Sequence, residues 1–380
     1  MGEIMETGFS NILCVVDMNV AEALDRCLTE LALPEVFIQR AKQISLIDKQ
    51  RFLGLRSRIR LVENRALIYR LYVPSVYQDG IMRLITEAGD LKTGGRGSIF
   101  AHSIGLLRGA QLSFDTEKLE KLCGKANKNP QEEHVLVTCI VSRGSADSLV
   151  QAVLELGICV PVVFYGTGVG LRDKLGLMRI TIPAEKETMW FIVPKTEAEL
   201  VEKTLISRAR LDVPGQGFLY KCFVHAPTVN LRVRQGKRVH AATMEQVISA
   251  LDEVRGSSDW RRLGPGRHRP KDSENNAIKS RGLFFIGEEE EVDRYRLVAM
   301  ENGARGATLY PLEMRSYSLE SAEQAMESHS RELCDIIVSP ELEEKLNSPI
   351  AQSGLFDRGK SCVLKKFNVE MPEIIHRAGK

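Results

Sequence analysis

The sequence predicts an α+β chain in which a β-α-β-β-α-β unit recurs in tandem. Two observations predict it. One is an internal repeat that aligns without a gap, and the other is the order of strand-like and helix-like patterns inside each copy. A length of 380 residues leaves room for two to four domains.

Residues 14–33 lie over residues 139–158 at an offset of 125, with six identities in twenty: Cys14/Cys139, Val16/Val141, Ala21/Ala146, Leu24/Leu149, Glu30/Glu155 and Leu31/Leu156. Chance gives about one. Ile12–Val16 and Val135–Val141 are β-rich apolar runs and read as first strands. Ala21, Leu24, Leu28 and Leu31, like Ala146, Leu149, Val153 and Leu156, recur at spacings of three and four, the mark of an amphipathic helix. Asn19 and Ser145 suit N-caps and Gly157 a C-cap. Second strands follow at Glu35–Ile38 and Val160–Tyr165.

The second halves correspond at an offset of 120. Residues 66–75 and 187–195 each form a strand ending in Val-Pro, with helical stretches at Val76–Glu87 and Glu197–Arg208. A Gly-x-Gly string stands 22 residues after each valine, Gly95-Arg96-Gly97 and Gly215-Gln216-Gly217, and a last strand follows. A third, more divergent copy runs from Phe285, with Leu333–Pro340 as its strand-Val-Pro-like element and Gly359-Lys360 at the place of the second glycine.

This order is that of the ferredoxin-like double split unit, one antiparallel sheet with two helices on one face. The bare face must be covered. Three tandem units, packed as an intramolecular pseudo-trimer, would cover one another. The expected division is unit 1 at 8–112, a linker at 113–133, unit 2 at 134–240, a helix (Ala242–Val254) and basic Gly/Pro linker at 241–281, unit 3 at 282–370 and a tail at 371–380. The acidic run Glu288–Glu291 reads as solvated surface.

With 52 basic and 50 acidic residues, no global field directs the chain to nucleic acid or membrane. No apolar run reaches the ~18 residues of a membrane span, and the acidic start lacks the basic n-region of a secretory signal. A cytoplasmic protein is expected. The eight cysteines form no C-x-x-C pair and read as small core residues, and the histidines lack metal-ligand spacing, so no metal site is expected. No metalloprotease, nucleophile-elbow or P-loop string occurs, and no catalytic residues are assigned.

The complete pattern, the Gly-x-Gly strings and Val229-Asn-Leu-Arg232-Val-Arg234-Gln-Gly236 together resemble the PII nitrogen-regulatory signal proteins. That resemblance implies ATP or ADP bound in clefts between units, with 2-oxoglutarate and magnesium as accessory ligands, and loops that control a partner protein such as a membrane transporter or metabolic enzyme. It implies a monomer acting as a pseudo-trimer, outside the membrane and without nucleic acid. The candidate nucleotide-binding residues are Gly95, Arg96, Gly97, Gly215, Gly217, Arg232, Arg234 and Lys360. Glycines let an anion approach the backbone N–H groups, and Arg232 and Arg234 alternate on an extended segment, so both guanidinium groups reach one side. The family's lysine after the second glycine is replaced by Ser98 and Phe218, and Asp357 stands in place of the third unit's first glycine. Alternatives are a structural or interaction protein without a ligand and, less favoured, a nucleotide-hydrolysing enzyme. RNA binding lacks the aromatic pair its modules use.

Overall fold

The computed structural model describes residues 4–49, 58–108, 112–124, 133–170, 185–235, 277–318, 328–357 and 360–373. The first stretch holds β1 (Ile4–Asp17), α1 (Ala21–Leu31), β2 (Val36–Lys49), β3 (Arg58–Pro74), α2 (Gln78–Ala88) and β4 (Gly97–Arg108). After α3 (Thr116–Cys123) come β5 (His134–Ser142), α4 (Ala146–Leu156), β6 (Val162–Gly170), β7 (Glu185–Pro194), α5 (Lys195–Ala209), β8 (Gly217–Thr228) and the two-residue β9 (Arg234–Gln235). The last stretch holds β10 (Ala277–Gly287), α6 (Glu289–Glu301), β11 (Gly306–Arg315), β12 (Ser328–Val338), α7 (Pro340–Gln352) and β13 (Val363–Pro372).

The expected architecture of tandem ferredoxin-like units closing as a pseudo-trimer is corrected here. The thirteen strands among the described residues belong to one hydrogen-bonded sheet. Ten of them close an antiparallel β-barrel and two more extend it, while β9 adds in parallel to β2. Within the first stretch β1 pairs with β3 and β4, and β2 with β3. The sheet then continues across every outer strand: β2 bonds to β6 and β11, β6 to β11, β4 to β8 and β13, and β8 to β13. The physical reason is the sheet edge. An edge strand carries a row of unpaired N–H and C=O groups, and closure satisfies them. Side-chain periodicity reports which faces are apolar and carries no record of which edges meet.

Closure buries both faces of the wall. Inside, Leu13, Phe100, Phe164, Trp190, Phe284 and Phe367 belong to one apolar cluster. Outside, α1 and α2 cover one part of the wall, α4 and α5 a second, and α6 and α7 a third, each over its own core. Hence the strands are continuous apolar runs: Ile12 through Val16 are all buried.

Local chemistry sets the helix ends. The Asp17 side chain accepts from the Asn19 N–H at a short 3-10 turn ahead of α1. Gly157 ends α4 at φ +75°, where glycine has no steric penalty. Glu288 and Glu291 form a capping box on α6, so the acidic run is a helix start. The connector at 113–133 contains α3, capped by Asp115. β10 begins five residues ahead of the expected third unit, and β13 runs two residues into the expected tail. The Ala242–Val254 helix, the basic Gly/Pro stretch, residues 50–57 of the first loop and residues 171–176 of the second lie outside the described residues. Seven cysteines are buried and Cys123 is half-buried. No helix among the described residues is long and apolar enough to cross a membrane.

Candidate functional site

A polar cleft of about 410 Å³ opens where the segment after β8 crosses back onto the first stretch of the chain. Its wall comes from the end of β1 and the 3-10 turn after it (Asp17, Asn19), from β2 and β3 (Gln43, Ser45, Asn64), from the loop before β4 (Thr93, Gly94, Gly95, Arg96), and from Val160, Asn230 and Arg232. The size falls within the range of small-molecule sites.

Residues 229–235 form a strap held by backbone and side chain. Leu46 N–H donates to Val233 O (2.7 Å), and Val160 N–H to Asn230 O (3.3 Å). Asn230 is the fastener. Its Oδ1 accepts from the N–H of Gly95 (3.0 Å) and of Arg232 (3.1 Å). Its Nδ2 donates to Gln43 Oε1 (2.7 Å), and its own N–H donates to Ser98 Oγ (2.8 Å).

The glycines give Arg232 its lane. Gly95 has φ +98°, which disfavours any residue with a Cβ, and a Cβ there would stand 3.3 Å from Arg232 Cδ. Arg232 Nη1 donates to Gly94 O (3.3 Å). Arg96, on the same loop, has Nε 3.5 Å from Asp90, with both side chains about half exposed, so that pair is weak and readily exchanged for an anion. The result is two guanidinium groups at a glycine loop, faced by the carboxamides of Asn19, Gln43, Asn64 and Asn230 and the hydroxyls of Ser45 and Thr93. Gln43 is 3% exposed and its Nε2 has no partner. Such a set suits an anion at the arginine end and a hydrogen-bonding ring or sugar at the amide end.

Of the sequence-assigned residues, the cleft brings together Gly95, Arg96 and Arg232. Gly97 starts β4 off the cleft wall; a Cβ there would lie 2.2 Å from Val15 O, so it is bare to let β1 approach. Gly215 (φ +87°, open space) and Gly217, where a Cβ would lie 2.6 Å from Ile140 O, make the corresponding turn after α5, away from the cleft. Arg234 contributes backbone pairing to β2 through β9, and its side chain lies outside the described residues. Lys360 sits ahead of β13, with Nζ 3.8 Å from Glu291. Sequence reasoning missed Gly94, Asn19, Gln43, Ser45, Asn64, Thr93 and Asn230. Gly94 adjoins one string already singled out and Asn230 lies inside another; the others carry no local signal, because they converge only in the folded chain.

A second cluster of N–H groups is already filled. At the start of α4, Glu187 Oε2 accepts from Gly144 (3.0 Å), Ser145 (3.0 Å) and Ala146 (2.8 Å). The chain supplies its own anion there.

No family model matches the chain, and no curated protein matches its sequence.

Proposed function

We propose that the protein is a non-catalytic regulator that binds a phosphate-bearing small molecule, in first place ATP or ADP, in this cleft. The observation that carries the reading is the Asn230 clamp, which sets Arg232 along Gly94–Gly95 beside Arg96. The Arg96 and Arg232 guanidinium groups form the anion cradle, at a glycine loop whose Gly95 N–H is held by Asn230 Oδ1. The carboxamides supply donors and acceptors for a base and ribose. The resemblance to PII signal proteins rests partly on Gly95, Arg96 and Arg232, and it names the adenine nucleotide as the first ligand to try.

The coupling to a partner runs through β2. Gln43 and Ser45 line the cleft, and Leu46 and Ile47 pair with β9 in the strap. β2 then continues, paired with β3, to Lys49↔Arg58 at the base of the basic loop. A ligand that ties Arg232 to Gln43 favours the arrangement in which strap and β2 are joined, and the loop carried by β2 and β3 presents that state to a partner protein. The ligand's differential affinity for the two states does the work, without turnover.

The test is calorimetric titration of ATP, ADP and AMP into wild type and Arg232→Ala. Saturable binding by wild type that weakens at least ~10-fold in the variant supports the reading, since a charge-assisted hydrogen bond contributes about 1.5–3 kcal/mol. No binding at millimolar nucleotide sinks it.

A further inference from the structure

The mostly apolar barrel interior also holds buried charge. Arg70 on β3 and Lys365 on β13 are each 1% exposed and point inward among the residues of the central cluster. Strand pairing brings the polar side chains to one level. Lys365 lies across from Phe284, and Phe284 across from Asp335. His102 lies across from Asn11. Arg70 stands two residues from Tyr72, whose ring the Lys365 ammonium faces at 5.9 Å.

These groups do not satisfy one another. Arg70 donates once, from Nη2 to Gln39 Oε1, and its plane stacks 5.0 Å from the Trp190 ring. Its Nε and Nη1 have no acceptor, and Gln39 Nε2 has none. Lys365 Nζ has aromatic faces for neighbours, Phe284 at 4.5 Å and Phe367 at 5.0 Å, and no hydrogen-bond acceptor among the described residues. Asp335 is the carboxylate nearest in register, yet its Oδ2 is taken by the Tyr220 hydroxyl (2.9 Å) and its Oδ1 is unpaired. Among the described residues neither cation is in ion-pair contact with a carboxylate.

A buried guanidinium does not lose its proton. Burial pushes the Asp335 carboxyl toward its neutral form, so it does not cancel the Arg70 charge, and positive charge stays uncompensated in a low-dielectric interior beside the unpaired Arg70 donors. We propose that the barrel interior holds a small monovalent inorganic anion, of the halide or nitrate class, between the Arg70 guanidinium and the Lys365 ammonium. One such ion cancels the residual charge and accepts from Arg70 Nε, Arg70 Nη1 and Lys365 Nζ. The aromatic faces of Trp190, Phe284 and Phe367 around the two cations suit a small, weakly hydrated anion. Without the ion, burial and the Arg70 charge push the Lys365 ammonium well down; with it, the ammonium stays charged. The ion's role is structural, joining strands β3 and β13 across the interior. This site is separate from the cleft and does not depend on the nucleotide reading.

The experiment is diffraction from crystals of the full chain grown with bromide in place of chloride, paired with thermal unfolding against bromide or chloride at constant ionic strength with gluconate as the balancing anion. An anomalous peak within hydrogen-bonding reach of Arg70 and Lys365, and an unfolding midpoint rising by about 2 °C per tenfold halide above saturation, are expected. Lys365→Met, which keeps length and removes charge, abolishes the halide dependence, while Arg232→Ala at the cleft leaves it intact. Ordered water alone between the two cations, or no anomalous density there, overturns the proposal. Should Lys365→Met fail to fold, the diffraction result decides alone.

Discussion

Replacing Asn230 separates what holds the strap from what the cleft binds. Asn230→Ala removes three side-chain hydrogen bonds and leaves the N–H of Gly95, the N–H of Arg232 and the Oε1 of Gln43 without partners. Each stranded buried polar group costs about 1–3 kcal/mol. Water entering the open cleft recovers part of this, so the expected loss is about 3 kcal/mol. Asn230→Asp behaves differently. Its carboxylate still accepts from Gly95 and Arg232, and the Gln43 amide, whose Nε2 is unpartnered, turns to donate to it. Stability then stays within about 1 kcal/mol of wild type. The new negative charge beside Arg232 repels an anionic ligand and neutralises its cradle, so nucleotide affinity falls at least ~10-fold. Urea unfolding gives the stabilities and calorimetry the affinities. Asn230→Ala unfolding within about 0.5 kcal/mol of wild type would refute the clamp, because surface substitutions without special contacts have effects of that size.

Three further outcomes follow from the same geometry. Gly95→Ala costs stability through its left-handed backbone and its approach to Arg232, and weakens ligand binding; Gly215→Ala, equally left-handed but facing open space, costs stability alone, about 1 kcal/mol, by urea unfolding. Glu187→Ala strands three N–H groups at the start of α4 and costs about 3 kcal/mol, whereas Glu187→Gln keeps an acceptor and costs about 1 kcal/mol, read as unfolding midpoints. Burial raises the Asp335 carboxyl to about 7 from 3.8. The folded state therefore binds that proton more tightly than the unfolded state, and the stability it contributes is present below pH ~4 and is lost as pH rises to ~7, about 4 kcal/mol in all. Asp335→Asn removes this slope, and unfolding free energies of variant and wild type at pH 4.5, 6 and 7.5 measure the difference.

Much of the chain's local structure was legible because it follows local rules. The runs at Ile12–Val16 and Val135–Val141 are strands, and the three-and-four spacing from Ala21 and Ala146 marks α1 and α4. Capping is less legible. The sequence offers Asn19 as the cap of α1, but Asp17 accepts its N–H, and Ser145 stands at the cap of α4 while Glu187 does the hydrogen bonding from another strand. The barrel was illegible for a geometric reason. It depends on pairings such as Lys42↔Val163 and Val363↔Arg108, between edges far apart in sequence, and β13 meets β8 at one residue pair, Glu370↔Lys221. The cleft was half legible. Gly95, Arg96 and Arg232 stood in recognisable strings, whereas Gln43, Ser45 and Asn64 join them only because β2 and β3 pass beneath the strap. The interior charges do carry a signal: Arg70 interrupts the apolar run Ala66–Val73, and a charge inside a strand buried on both faces has no solvated position to take.

The most direct measurement is hydrogen exchange at the backbone amides of residues 43–47, 93–98 and 229–235, with and without saturating ADP or ATP. The account predicts that nucleotide slows exchange in all three segments together, since one ligand at Arg96, Gln43 and Arg232 ties them to one another. Unchanged exchange there, or protection confined to another part of the chain, would contradict it.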